Sequence, residues 1–109
     1  MEFTSSKQGE YLVVTTVGRL DATTSHLFEE QCDQWLADDN TRILVDMAGI
    51  EFISSAGLRS ILASAKKLKG ASGDIRFCGL SGMVSDVFKV SGFGTMFKLF
   101  DTQEQALGS

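Results

Sequence analysis

The run Ile43-Leu44-Val45 is aliphatic at consecutive positions, and that continuity constrains the fold more than any other feature. A strand with one face in water alternates apolar and polar residues, whereas a strand covered on both faces, or at a sheet centre, does not have to. Downstream, between Gly57 and Gly70, Leu58, Ile61, Leu62, Ala65 and Leu68 recur at helical spacing and form one apolar stripe. Lys66, Lys67 and Lys69 cluster towards its end, where the helix dipole favours cations. A buried strand followed by an amphipathic helix is half of a strand-helix-strand crossover. The sequence therefore predicts an α/β fold with a mixed, mostly parallel central sheet of about four to five strands and helices packed on it.

The remaining pattern agrees. Tyr11-Leu12-Val13-Val14-Thr15-Thr16-Val17 is rich in β-branched and aromatic residues and ends at Gly18, as a strand does. A shorter strand is expected near Glu2 to Ser6. From Thr23 to Asp38, Phe28, Cys32, Trp35 and Leu36 recur at helical spacing. Ile43 to Val45 reads as a strand stopping at Asp46, followed by a short loop. Asp74 to Cys78 reads as a strand, Ser81 to Val90 as a helix carrying Val84, Val87 and Phe88 inward, Phe97 to Phe100 as a last strand and Thr102 to Leu107 as a terminal helical turn.

With 109 residues the chain fits one domain, taken as 1–109. A hydrophobic share of 43% against 22% charged is a globular balance. No apolar run approaches the roughly 18 residues that cross a bilayer, and the first residues lack a basic segment leading into an apolar one, so a soluble, cytoplasmic protein without membrane association is expected. The two cysteines form no CxxC and only one histidine is present, which argues against a metal site or a disulfide framework. A formal net charge of −4 offers no phosphate-neutralising surface for nucleic acid.

Chemistry concentrates where the central strand delivers the chain to the next helix, at Phe52-Ile53-Ser54-Ser55-Ala56-Gly57-Leu58-Arg59. Two hydroxyls stand at a helix N-terminus, where unpaired N–H groups and the dipole favour negative charge. A cap worth about 1 kcal/mol is the commoner role for a serine here. Arg59, one turn in, suits a phosphate on Ser55, a carboxylate of a partner, or plain solvent. Asp46, at the end of the aliphatic run, and Asp21, after Gly18-Arg19-Leu20, read in isolation as loop-closing or capping carboxylates. His26 has no nucleophile beside it in sequence, so general-base catalysis is not expected. Gly92-Phe93-Gly94 lacks the third glycine of a dinucleotide fingerprint, and no nucleotide cofactor is expected. Met47, Ile50, Phe52 and Phe93, placed in or beside loops, are candidates for an apolar patch around the serines, with core burial the commoner fate.

The order of these pieces resembles the STAS-domain anti-sigma factor antagonists. Gly18-Arg19-Leu20-Asp21, the strand with Asp46 and then Ser54-Ser55-Ala56-Gly57-Leu58-Arg59, Val87-Phe88-Lys89-Val90-Ser91-Gly92-Phe93, and Met96-Phe97-Lys98-Leu99-Phe100 with Glu104-Gln105-Ala106 follow in that family's order and cover essentially the whole chain. The resemblance implies a STAS fold and a phosphorylated hydroxyl two positions before the glycine, which selects Ser55. Ser54 stands where many members have Asp, which makes it the second choice, and Ala56 where some have Ser. It further implies a partner surface containing Asp21, Asp46, Ser54, Ser55, Gly57, Leu58 and Arg59, with Asp46 also supporting the serine loop. The implied partners are an anti-sigma factor that is also a serine kinase, and a serine phosphatase. The chain itself would not be an enzyme, and the role is the control of sigma-factor-dependent transcription. A STAS domain holding a small anion or nucleotide noncovalently at the same helix end is the alternative, and a hydrolase, short of a base near Ser55, ranks last.

Overall fold

A computed structural model describes residues 1–108 of the protein. The elements are β1 (Glu2–Gln8), β2 (Tyr11–Leu20), α1 (Ser25–Ala37), β3 (Arg42–Ile53), α2 (Ser55–Gly70), β4 (Asp74–Cys78), α3 (Gly82–Val90), α4 (Phe93–Met96), β5 (Lys98–Phe100) and α5 (Gln103–Leu107). They form a mixed sheet of order β1-β2-β3-β4-β5, antiparallel between β1 and β2 and parallel at every other pair. Each parallel crossover steps the same way across the sheet, so right-handed connections put their helices on one face. That face holds the main core, in which Val14, Val45 and Phe77 of the strands meet Phe28, Ile61, Leu68 and Phe88 of the helices.

Helix α1 buries Phe28, Cys32 and Trp35, with the Phe28 and Trp35 rings edge to face at 5.7 Å. Helix α2 packs beside it and buries Gly57, Ser60, Ile61, Ser64, Ala65 and Leu68. The small residues at helical spacing let the two helices approach, and the Ser60 hydroxyl donates to the Ser25 carbonyl at 2.8 Å. Further along the sheet, Phe77, Phe88, Phe93 and Phe97 close a ring of tilted and edge-on contacts, each pair 5.2–5.4 Å apart. Such pairs add about 0.5–1.5 kcal/mol each beyond their burial. The four-residue α4 that carries Phe93 was not expected from the sequence.

The opposite face is covered by α5. There Ala106 packs with Val13, Leu44 and Cys78, and Arg76, 8% exposed, is held in place from several sides. Its Nη1 donates to the Ala106 carbonyl at 2.6 Å, its Nε to Asp74 at 3.2 Å, and its guanidinium lies 4.8 Å from the Tyr11 ring centroid.

One expectation needs correction. The sequence reading ends the central strand at Asp46 and makes the next residues a loop, but β3 continues to Ile53. Thr15 of β2 pairs with Asp46 and Leu20 with Ile53, with register shifts after Thr15 and after Gly18. Beyond Asp46, β3 therefore carries two more residues than the length of β2 that it accompanies, the signature of β-bulges. The bulges change the rhythm of burial: Val45, Met47, Ile50 and Ile53 face the core, so the inward residues become three apart. Thr16, skipped by the ladder, donates its hydroxyl to the Asp46 carbonyl at 2.8 Å. Gly49 is required at the same place, since a Cβ there would lie 2.6 Å from the Thr16 carbonyl oxygen. The same inward turn removes the suggested apolar patch, because Met47, Ile50 and Phe93 are buried and only Phe52 stays at the surface, half-buried.

Candidate functional site

The bulged extension carries the end of β3 to the start of α2, and a few backbone contacts fix the junction. The Ser54 N–H donates to the Leu20 carbonyl at 3.0 Å, tying the serine pair to the end of β2. Ser54 has extended backbone and is the N-cap: its hydroxyl accepts the Gly57 N–H at 3.3 Å, and its carbonyl accepts the Leu58 N–H at 3.0 Å. Gly57 sits directly on the Leu20 carbonyl, buried.

Ser55 is the first helical residue and is exposed. No hydrogen bond within the described residues engages its hydroxyl. The first turn of α2 contains no acidic side chain, so the partial positive charge of its N–H groups is not offset locally. Leu58 is half-buried against the core, and Arg59 is exposed one turn on. The sequence could not decide which serine caps the helix; the geometry gives that duty to Ser54 and leaves the Ser55 hydroxyl unbound.

Asp21 stands beside this junction, immediately after Leu20. Its Oδ1 accepts from the Thr23 hydroxyl at 2.7 Å and the Thr23 N–H at 3.0 Å, and its Oδ2 lies 3.8 Å from the Arg19 Nε. Arg19, which the sequence places in the Gly18-Arg19-Leu20-Asp21 motif without giving it a role, stacks its guanidinium 4.4 Å from the Phe52 ring centroid across the ladder. The Thr23 hydroxyl first, then the Thr23 N–H, the Thr24 hydroxyl and the Arg19 charge, hold the Asp21 carboxyl below the ordinary aspartate value despite some opposing desolvation. A lowered carboxylate favours the fold above its unfolded pKa, and the contribution is lost as the pH falls through the folded value. Carboxyl-carbon NMR titration should therefore show Asp21 ionising at lower pH than a free aspartate, and Thr23→Ala should move it back up. An Asp21 curve unchanged in Thr23→Ala would show that the hydroxyl does not matter.

The structure does not bring Asp46 to the serines. It lies on the α5 face of β3, where Oδ1 accepts the Ala48 N–H at 3.0 Å and Oδ2 accepts from the Gln103 side chain at 2.7 Å. Its partner Thr15 is five residues along β2 from Leu20, about 16 Å at strand rise. Asp46 thus closes the bulge and ties α5 to the sheet. His26 is exposed in the first turn of α1. Both cysteines are buried. Burial, with the Asp46 carboxylate adding, pushes the Cys78 thiol up to about 12, which leaves it protonated and unreactive at neutral pH.

The STAS-domain family profile matches residues 2–106. The chain belongs to the STAS-domain family. It is 29% identical over 106 residues to BtrV of Bordetella bronchiseptica, provisionally named an anti-sigma factor antagonist, with 97% of this chain and 91% of BtrV covered. Among solved structures the STAS fold is shared with TM1081 of Thermotoga maritima, at a TM-score of 0.90 and 20% identity over 97% of this chain and 92% of that one. It is also shared with the phosphorylated form of the Bacillus protein SpoIIAA, at 0.74 and 21% over 98% and 97%. No helix among the described residues is long and apolar enough to cross a membrane.

Proposed function

We propose that this STAS domain is an anti-sigma factor antagonist that binds an anti-sigma factor through the surface around Ser55, and that phosphorylation of Ser55 by that same partner, a serine kinase, turns the binding off. The observation that carries the reading is the exposed, unbound Ser55 hydroxyl at the first position of α2, beside a Ser54 hydroxyl already occupied as the cap. A kinase needs an accessible hydroxyl, and a phosphate formed there would meet the N-terminal N–H groups of a 16-residue helix, so the fold would tolerate it. The anti-sigma factor antagonist name carried by BtrV and the phosphorylated form of SpoIIAA support the same reading.

The rest of the partner surface would be Asp21, with Arg19 and Phe52 beside it, and Ser54, Gly57, Leu58 and Arg59 along α2. Gly57 and Ser54 serve it by position rather than by contact. Among the described residues no nucleophile and base pair stands at Ser55, so removal of the phosphate falls to a separate serine phosphatase. The setting is the cytoplasm, and the output is sigma-factor-dependent transcription.

Intact-mass measurement and peptide mapping after incubation with ATP and the cognate kinase test the site. One phosphate is expected on the wild type and on Ser54→Ala, and none on Ser55→Ala. A phosphate lost only in Ser54→Ala would move the switch by one residue. No phosphate with an active kinase would overturn the reading.

A further inference from the structure

At the end of α2 remote from Ser55, the helix overhangs the beginning of β4 and β5 and leaves a cleft of about 380 Å³, within the range of roughly 300–1,000 Å³ seen for small-ligand sites. Its base and one wall are apolar: Ile75, almost fully buried, with Phe97 and Met96 of the α4–β5 segment. Its rim is cationic, formed by Lys66 and Lys69 one turn apart on α2 and by Lys98 at the start of β5. Three ammonium groups thus line one apolar cleft in a chain whose formal net charge is −4.

The helix dipole accounts for lysines near the end of α2, but not for the apolar space between them. Lys67, on the far side, is paired with Asp33 at 2.9 Å, whereas Lys66, Lys69 and Lys98 make no ion pair among the described residues. Asp74, the one carboxylate lining the cleft among the described residues, bonds to the Tyr11 hydroxyl at 2.7 Å and to Arg76 and also feels the Lys98 charge, so one carboxylate faces three ammonium groups and the rim keeps an excess of positive charge. Met96 is 55% exposed, an adaptable thioether standing at the mouth.

We infer that this cleft binds a small amphipathic carboxylate, its hydrocarbon body against Ile75, Phe97 and Met96 and its carboxylate between Lys66 and Lys69. The apolar wall would supply the dependence of affinity on chain length, and the lysines the preference for an anion over a neutral head group. Lys66 and Lys69 lie 11 and 14 residues from Ser55, about 16–21 Å along the helix, so this site and the reading of Ser55 stand or fall separately.

Decanoate, below its micellar concentration and at low salt, is the probe, followed by the methyl NMR signals of the whole chain and by calorimetry. Saturable binding at one site is expected, with the Met96 methyl shifting and the buried Met47 methyl unmoved. Affinity should rise about fourfold per methylene from hexanoate through octanoate to decanoate. Decanol should bind at least threefold more weakly than decanoate. The Lys66→Gln/Lys69→Gln double variant should lose about three- to tenfold in decanoate affinity while binding decanol as before. Both lysines are exposed, so the variant should keep the wild-type melting temperature. A Met96 methyl that never saturates, affinity indifferent to chain length, or a double variant that binds decanoate as tightly as the wild type would each overturn the inference.

Discussion

Ser55→Asp is expected to weaken binding to the anti-sigma partner by a hundredfold or more while leaving the melting temperature unchanged or a few degrees higher. The two halves of this expectation have opposite physical origins. Within the chain, a carboxylate at the first position of α2 meets helix N–H groups that no acidic side chain offsets, a gain of about 0.3–1 kcal/mol. In the proposed complex, the same charge would have to leave water and enter an interface formed around a neutral hydroxyl. A hundredfold loss corresponds to about 2.7 kcal/mol, which one poorly compensated buried charge readily exceeds. A phosphate, with about −1.5 to −2 charges, should do more. Ser55→Ala should bind like the wild type and stay bound in the presence of ATP. Titration calorimetry against the partner, with thermal unfolding of each variant alone, separates the two halves. A Ser55→Asp protein that folds normally and binds within threefold of the wild type would sink the switch.

That separation of fold from switch depends on details that the sequence shows unevenly. Strand β4 was legible because Asp74 to Cys78 is short and bounded by turns, and α2 because its apolar stripe keeps one period throughout. The stretch from Met47 to Ile53 was not legible as strand. Its inward residues, Met47, Ile50 and Ile53, fall three apart because bulges reset the pleat, and neither a period of two nor one of 3.6 describes them. A glycine amid apolar residues, Gly49, was the available hint. Asp46 stands apart from the serines for the same reason: the strand runs on from it to Ile53 before the chain reaches Ser54.

The serine register depended on a subtler matter. Adjacent hydroxyls before Ala56 and Gly57 can each cap the helix, and only the backbone decides; Ser54 is extended and its hydroxyl accepts the Gly57 N–H. The role of Arg19 was missed because nothing in its neighbourhood in sequence announces Phe52, which reaches it through the parallel pairing of β2 with β3. The Tyr11, Asp74 and Arg76 cluster likewise joins residues 63 positions apart. Local pattern thus finds elements whose rhythm is regular, whereas cross-strand contacts and bulges, which shape the surface around Ser55, come from the sheet.

Gly57→Ala is expected to lower the melting temperature by about 5–15 °C, although alanine is the better helix former. Gly57 is helical and carries no positive φ, so backbone freedom is not why glycine stands there. Space is: a Cβ at this position would lie 2.5 Å from the Leu20 carbonyl oxygen, 2.9 Å from the Leu20 Cγ and 3.1 Å from the Ile53 Cγ1. The nearest of these atoms is backbone, already bonded to the Ser54 N–H, so relief requires moving α2 or the end of β2. Overpacking of this kind costs about 1–3 kcal/mol or more, against about 1 kcal/mol gained in helix propensity, and each net kcal/mol moves the midpoint by about 4–8 °C in a domain near this size. The control is Gly70→Ala in the same helix, where a Cβ would meet nothing within 4 Å; it should melt at or above the wild type. Because relief displaces Ser54 and Ser55 together, Gly57→Ala should also slow phosphorylation of Ser55 at temperatures where the protein is still folded. Equal melting of the two alanine variants would mean that the Gly57–Leu20 contact does not set the position of α2, and that the serine is placed by the bulged strand alone.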